Sequence, residues 1–248
     1  MNDDQLLRYS RHIMLPQVDI AGQERICHGR VLVVGVGGLG SPAALYLAAS
    51  GVGTLVLVDD DTVEISNLQR QIAHTEHRIG ENKAESAAKA IADLNTTTQV
   101  EVYTSRLSEH ALGEQIQRAD VVLDCTDNFT TRKQINALCV QMQTPLVSGA
   151  AIRLEGQITV FDKRDAESPC YQCLYQLTDD ENLSCSQSGV LSPLVGVVGA
   201  MQALEALKVL GKFGTPLVGR LGLYDAVFGE WRYMKLKRDT QCEVCATI

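Results

Sequence analysis

Val31-Leu32-Val33-Val34-Gly35-Val36-Gly37-Gly38-Leu39-Gly40-Ser41-Pro42 is the stretch on which the fold turns. Its first four residues are wholly apolar and mostly β-branched, the pattern of a parallel strand covered on both faces. Gly35 to Gly40 fits G-x-G-x-x-G, in which glycines let backbone amides and a helix N-terminus come close to a phosphate. Ser41-Pro42 then reads as a helix start, with a capping hydroxyl and a proline in the first turn.

Outward from this unit, strands and helices alternate. Leu55–Val58 is a second buried strand ending in Asp59-Asp60-Asp61, and Asn82–Leu94 has apolar residues at helical spacing. Val100–Tyr103, Val121–Leu123 and Leu146–Val147 read as further strands, with helices near Ser108–Gln117 and Thr130–Gln141. That order predicts an α/β fold with a Rossmann-like, doubly wound, mostly parallel sheet. Beyond residue 150 the pattern changes. Gln157–Phe161, Leu221–Tyr224 and Trp231–Leu236 read as antiparallel strands continuing the same sheet, with a helix over Leu194–Leu210. The expected organisation is one domain over 1–248, with a helical segment at 1–29, a nucleotide-binding half at 30–150 and an antiparallel half at 151–248.

The bulk properties bound the function. Of 248 residues 45% are hydrophobic and 21% charged, an ordinary globular composition. Thirty acids against 22 bases give a net charge of −8, which disfavours generic nucleic-acid binding because that mode needs excess Lys and Arg. Met1–Ser10 lacks a secretory pattern, and the apolar stretch Pro193–Leu210 is interrupted by Gln202, Glu205 and Lys208. The expected location is therefore cytoplasmic. In that reducing compartment the eight cysteines are poor disulfide partners, and the paired ones read better as metal ligands.

Cys170-x-x-Cys173 and Cys242-x-x-Cys245, separated by 68 residues, form two knuckles able to surround one tetrahedral zinc. Four thiolates leave no open position, so such a site is structural. Asp59 ends the second strand where an acid grips ribose hydroxyls. Asn67, Gln69, Arg70 and Lys83 suit a triphosphate, and Asp124 and Asp127 follow a strand at the sheet's carboxyl edge, where a carboxylate can hold Mg²⁺. Asp127 also fits a helix cap. Cys185 reads as a bystander in a polar loop, and Cys27, Cys125 and Cys139 as packing; His74 and His77 are weak metal candidates. The first 60 residues also fit an NAD-dependent oxidoreductase, although the convergent groups are Arg, Lys, Asn and Asp.

With Arg8-Tyr9-Ser10-Arg11, Ser66-Asn67-Leu68-Gln69-Arg70, Asp124-Cys125-Thr126-Asp127-Asn128 and both knuckles, the chain resembles the ubiquitin-activating-enzyme superfamily, in its MoeB/ThiF adenylyltransferase branch. The likeness covers nearly the full length, and Ser148–Phe161 is especially similar to the molybdopterin-synthase members. The resemblance implies ATP-dependent adenylation of the C-terminal glycine carboxylate of a small ubiquitin-like sulfur-carrier protein, with release of pyrophosphate. The alternative is the same chemistry on the thiamine-pathway carrier. It further implies a nucleotide site of Gly38, Asp59, Ser66, Asn67, Leu68, Gln69, Arg70, Lys83, Asp127 and Asn128, with Mg²⁺ on Asp127. Arg11 would reach the neighbour's ATP across a homodimer, and Cys185 matches a cysteine some relatives use in sulfur transfer.

Overall fold

The structure, a computed structural model, describes residues 1–175 and 189–246. Cys185 lies outside the described residues. An eight-stranded sheet in the order β3-β2-β1-β4-β5-β6-β7-β8 organises the chain. β1 (Arg30–Val34), β2 (Thr54–Val58), β3 (Gln99–Tyr103), β4 (Val121–Asp124) and β5 (Leu146–Ile152) are mutually parallel. β6 (Glu155–Phe161), β7 (Arg220–Asp225) and β8 (Glu230–Lys235) extend it antiparallel, as the change of pattern predicts.

Short helices α1 (Asp3–Arg8) and α2 (Ser10–Ile13) precede α3 (Asp19–His28). α4 (Gly40–Ala49) follows β1, α5 (Lys83–Leu94) leads to β3, α6 (Glu109–Arg118) to β4, and α7 (Phe129–Met142) to β5. α8 (Tyr171–Leu174) carries the first knuckle, and α9 (Ser192–Gly211) packs beneath the sheet. The β1 run is covered on both sides: Val31 and Val33 join one apolar cluster with α4 and α9 residues, while Leu32 and Val34 join another with α6 and α7 residues. Burying each such side chain stabilises the fold by about 1.5–3 kcal/mol, which is why this run cannot sit at a sheet edge.

Two local expectations need correction. α4 begins at Gly40 with no side-chain cap; the Ser41 hydroxyl instead donates to the Val36 carbonyl at 3.2 Å, inside the glycine turn. α9 spans 20 residues, longer than its sequence reading and long and apolar enough by composition to cross a bilayer, yet 56% of its apolar window is buried against the protein.

Candidate nucleotide site and cysteine cluster

Parallel strands all end on one edge, so the loops after β1, β2 and β4 meet there. They line a cavity of about 490 Å³ to which Gly38, Asp59, Gln69, Arg70, Lys83, Asp127 and Asn128 all contribute. Arg70, Lys83 and Asp127, far apart in sequence, thus share one space. Arg11 does not line it: α2 holds Arg11 exposed, while its neighbour Tyr9 is the buried anchor, its hydroxyl accepting from Asn95 Nδ2 at 2.9 Å. Ser66, Asn67 and Leu68 also lie off the cavity wall. Asn67 Oδ1 accepts from the Glu64 amide at 3.3 Å, and Arg70 Nη1 donates to the Ser66 carbonyl at 3.2 Å. That turn holds Arg70 from behind.

The glycine turn is shaped by close approach. Gly35 adopts φ +86°, and a Cβ at Gly40 would meet the Gly35 carbonyl oxygen at 1.9 Å. The Val36 peptide is pinned on both sides. Its amide donates to Asp59 Oδ2 at 2.7 Å, and its carbonyl lies 3.0 Å from His74 Nε2. Asp59 Oδ1 also accepts the Asp61 amide at 2.9 Å, so Asp59 orders the turn as well as facing the cavity. Burial raises its pKa, opposed by these amide hydrogen bonds and by Lys83. Lys83, at the first position of α5, is buried and pairs with Asp61 Oδ2 at 2.8 Å. Asn82 caps α5 by accepting from the Ala84 amide at 2.9 Å.

Asp127 is not the cap of α7. Asn128 is: its Oδ1 accepts the Thr131 amide at 2.9 Å, leaving the neighbouring carboxylate exposed on the cavity rim. A hard oxygen donor beside phosphate-suited cations fits Mg²⁺. His74 is a structural pin, with Nδ1 2.9 Å from Ser86 Oγ and Nε2 against Val36, and burial lowers its pKa. Cys125 and Cys139 are buried and their thiols pushed up by burial, in keeping with packing roles; Cys27 is half-buried beside Gln23. Arg106, Arg132, Thr131 and Gln71, outside the motifs above, also line the cavity. Arg106 had a signal, since it follows β3 at the same sheet edge; Arg132 had none, because it arrives from within a helix. No histidine or tyrosine lines the cavity among the described residues, whereas Arg70, Lys83 and Arg106 do.

At the far end of α7 the four knuckle cysteines converge. Their sulfurs all lie within 4.8 Å of one another, with separations of 3.9 Å (Cys170–Cys173), 3.7 Å (Cys170–Cys242) and 3.5 Å (Cys173–Cys245). Tetrahedral thiolates at ~2.3 Å from zinc stand ~3.8 Å apart, so the donor set fits. Three of the four are buried, and the Asp239 amide donates to Cys173 Sγ at 3.5 Å. This cluster could hold a metal and would clip the C-terminal tail to α8.

Fold and cavity together define a Rossmann-like nucleotide-binding protein with a closed, metal-competent cysteine cluster. Residues 9–244 match the ThiF family, and the chain belongs to it. Among its relatives, molybdopterin-synthase adenylyltransferase of Salmonella typhimurium is 48% identical over 245 residues, covering 99% of this chain and 98% of that one. Sulfur carrier protein ThiS adenylyltransferase of Escherichia coli is 45% identical over 245 residues, covering 99% and 97%. A crystal structure of E. coli MccB with ATP superposes with a TM-score of 0.85 at 21% identity, over 99% of this chain and 75% of that one, a likeness of fold.

Proposed function

We propose that this chain adenylates the C-terminal glycine carboxylate of a small ubiquitin-like sulfur-carrier protein of the molybdopterin pathway. The observation that carries the reading is the single cavity uniting Arg70, Lys83 and Asp127, in a chain whose near-full-length relatives bear adenylyltransferase names.

A carboxylate is a poor electrophile, and joining it to AMP creates a mixed anhydride with a good leaving group. A carboxylate oxygen of the carrier attacks the α-phosphorus of ATP; the α–β bridging P–O bond breaks and its electrons leave with pyrophosphate. No protein base is required, since the carboxylate is already ionised at neutral pH. Asp59 faces the ribose. Gln69, Arg70 and Lys83 hold the phosphates, and the two cations offset charge that grows on the departing oxygens, work that supplies several kcal/mol. Lys83 is held ready by Asp61, so it needs little reordering when phosphate arrives. Asp127 would hold Mg²⁺, which when bound neutralises phosphate charge. Arg11, exposed and off its own cavity, fits a role in the cavity of a second copy in a homodimer. The cysteine cluster holds structural zinc.

Carrier-dependent ATP–pyrophosphate exchange tests this. Exchange is expected with a molybdopterin-pathway carrier ending in Gly-Gly and absent when those glycines are deleted; absence with the intact carrier overturns the assignment. A second reading, the thiamine-pathway carrier, is favoured by the 45% identical ThiS adenylyltransferase, and higher kcat/KM for that carrier would select it. Mixing Arg11→Ala with Asp127→Ala subunits should restore partial activity. No recovery in verified mixed dimers argues against Arg11 acting across subunits.

A further inference from the structure

Arg132 is a buried cation that the mechanism above does not use. It sits one turn into α7, and its Nη2 donates to the Thr126 carbonyl and, at 2.9 Å, to the Gly149 carbonyl of β5. Its Nη1 faces Asp124 Oδ2 at 3.5 Å, an oxygen with no hydrogen bond on a fully buried carboxylate. The other oxygen, Asp124 Oδ1, accepts both the amide (3.0 Å) and the hydroxyl (2.7 Å) of Thr126. Thr126 is thereby gripped at amide, hydroxyl and carbonyl by one ion pair. The residue after Asp127, Asn128, is locked as the α7 cap. Asp127 is therefore an exposed side chain on a backbone fixed from both flanks.

Stability alone is a poor reason for this arrangement. Burying both charges carries a desolvation cost that an apolar pair of similar volume would avoid, often at equal or better stability. What an apolar pair lacks is the planar fork that fixes two carbonyls and a carboxylate in one geometry. We infer that Arg132, through Asp124 and Thr126, is a positioning residue that aims the Asp127 carboxylate at the cation of the bound nucleotide. This rests on the reading of Asp127 as that cation's ligand.

The test uses Mn²⁺ as an electron-spin probe, titrated onto the full chain with a non-hydrolysable ATP analogue. Asp127→Asn removes a charged oxygen ligand and should weaken Mn²⁺ binding by at least the roughly tenfold seen when only the supporting shell of a metal site is disturbed. Arg132→Lys keeps the charge against Asp124 but loses the fork, and should weaken Mn²⁺ similarly at an equal folded fraction. Because Arg132 acts through Asp127, the double variant should be no weaker than Asp127→Asn alone. The paired Asp124→Asn/Arg132→Gln variant removes both buried charges, guards against a folding defect, and should behave like Arg132→Lys. Wild-type Mn²⁺ affinity in a folded Arg132→Lys overturns the inference, as does an additive loss in the double variant. Wild-type affinity in Asp127→Asn overturns the reading of Asp127 itself, and this inference with it.

Discussion

The cavity and the cysteine cluster sit near opposite ends of α7 and are built on opposite principles. The cavity draws on many separate segments, and Asp127 and Gln69 stand exposed on its rim. The cluster draws on two knuckles, is mostly buried, and brings its sulfurs to 3.5–3.9 Å of at least one neighbour. One region leaves the Asp127 carboxylate exposed toward a ligand; the other gathers four sulfurs closely enough to hold a metal. α7 touches both, with Asn128 on the cavity and Asn136 Oδ1 accepting the Tyr171 amide of the first knuckle at 2.8 Å. If the proposed roles hold, chemistry and stability are segregated along a shared helix. Damage at either end should therefore have a different signature.

The largest effect is expected at the cavity. Asp127→Ala should lower carrier-dependent exchange by about 10³-fold, roughly 4 kcal/mol, with an unchanged melting temperature. A fall in melting temperature of the same size as a cysteine variant's would erase the contrast. Next, Cys170→Ser should release zinc, measured by elemental analysis, and lower stability, because metal-binding free energy at such a site is folding free energy. ATP affinity at equal folded fraction should survive; its loss would mean that α7 transmits the cluster's state to the cavity.

Smaller effects sharpen the boundary. Asn128→Ala should cost about 1 kcal/mol in urea unfolding through the lost cap, and Asn128→Asp should restore it. If Asp restores stability while ATP affinity stays low, the amide serves the nucleotide as well. The smallest effect concerns His74. Its folded pKa is lowered by burial, so the unfolded chain takes up the proton first as pH falls through the ordinary histidine value of about 6.5. The stability contribution of neutral His74 is complete above that value and lost progressively below it. Urea midpoints at pH 8 and 5.5 should differ less in His74→Gln than in the parent chain; an equal difference places the acid sensitivity elsewhere.

Much of this was legible in residue order because the relevant physics is local. An unbroken β-branched run followed by glycines specifies a covered strand and a tight turn, and β1 and its turn follow that reading. Two knuckles specify a metal-competent tetrad because thiolate chemistry tolerates few other uses in that spacing. Asn82 and Asn128 show the limit of such rules: both are caps, yet only contact geometry distinguishes Asn128 from Asp127 as the cap of α7. Ser66 to Leu68 carry a motif, but the turn directs Gln69 and Arg70 to the cavity instead.

The strand–turn–helix that starts the fold, the change from parallel to antiparallel pairing and the donor identity of the cysteine tetrad are written in residue order, since each depends on periodicity or side-chain chemistry within a short window. That Arg70, Lys83 and Asp127 face one cavity, that Asp59 and His74 pin the Val36 peptide, and that Arg132 grips the turn beneath Asp127 is settled by long-range packing. Those relations join residues brought together by parallel crossovers, and a side chain's direction there is set by what packs behind it.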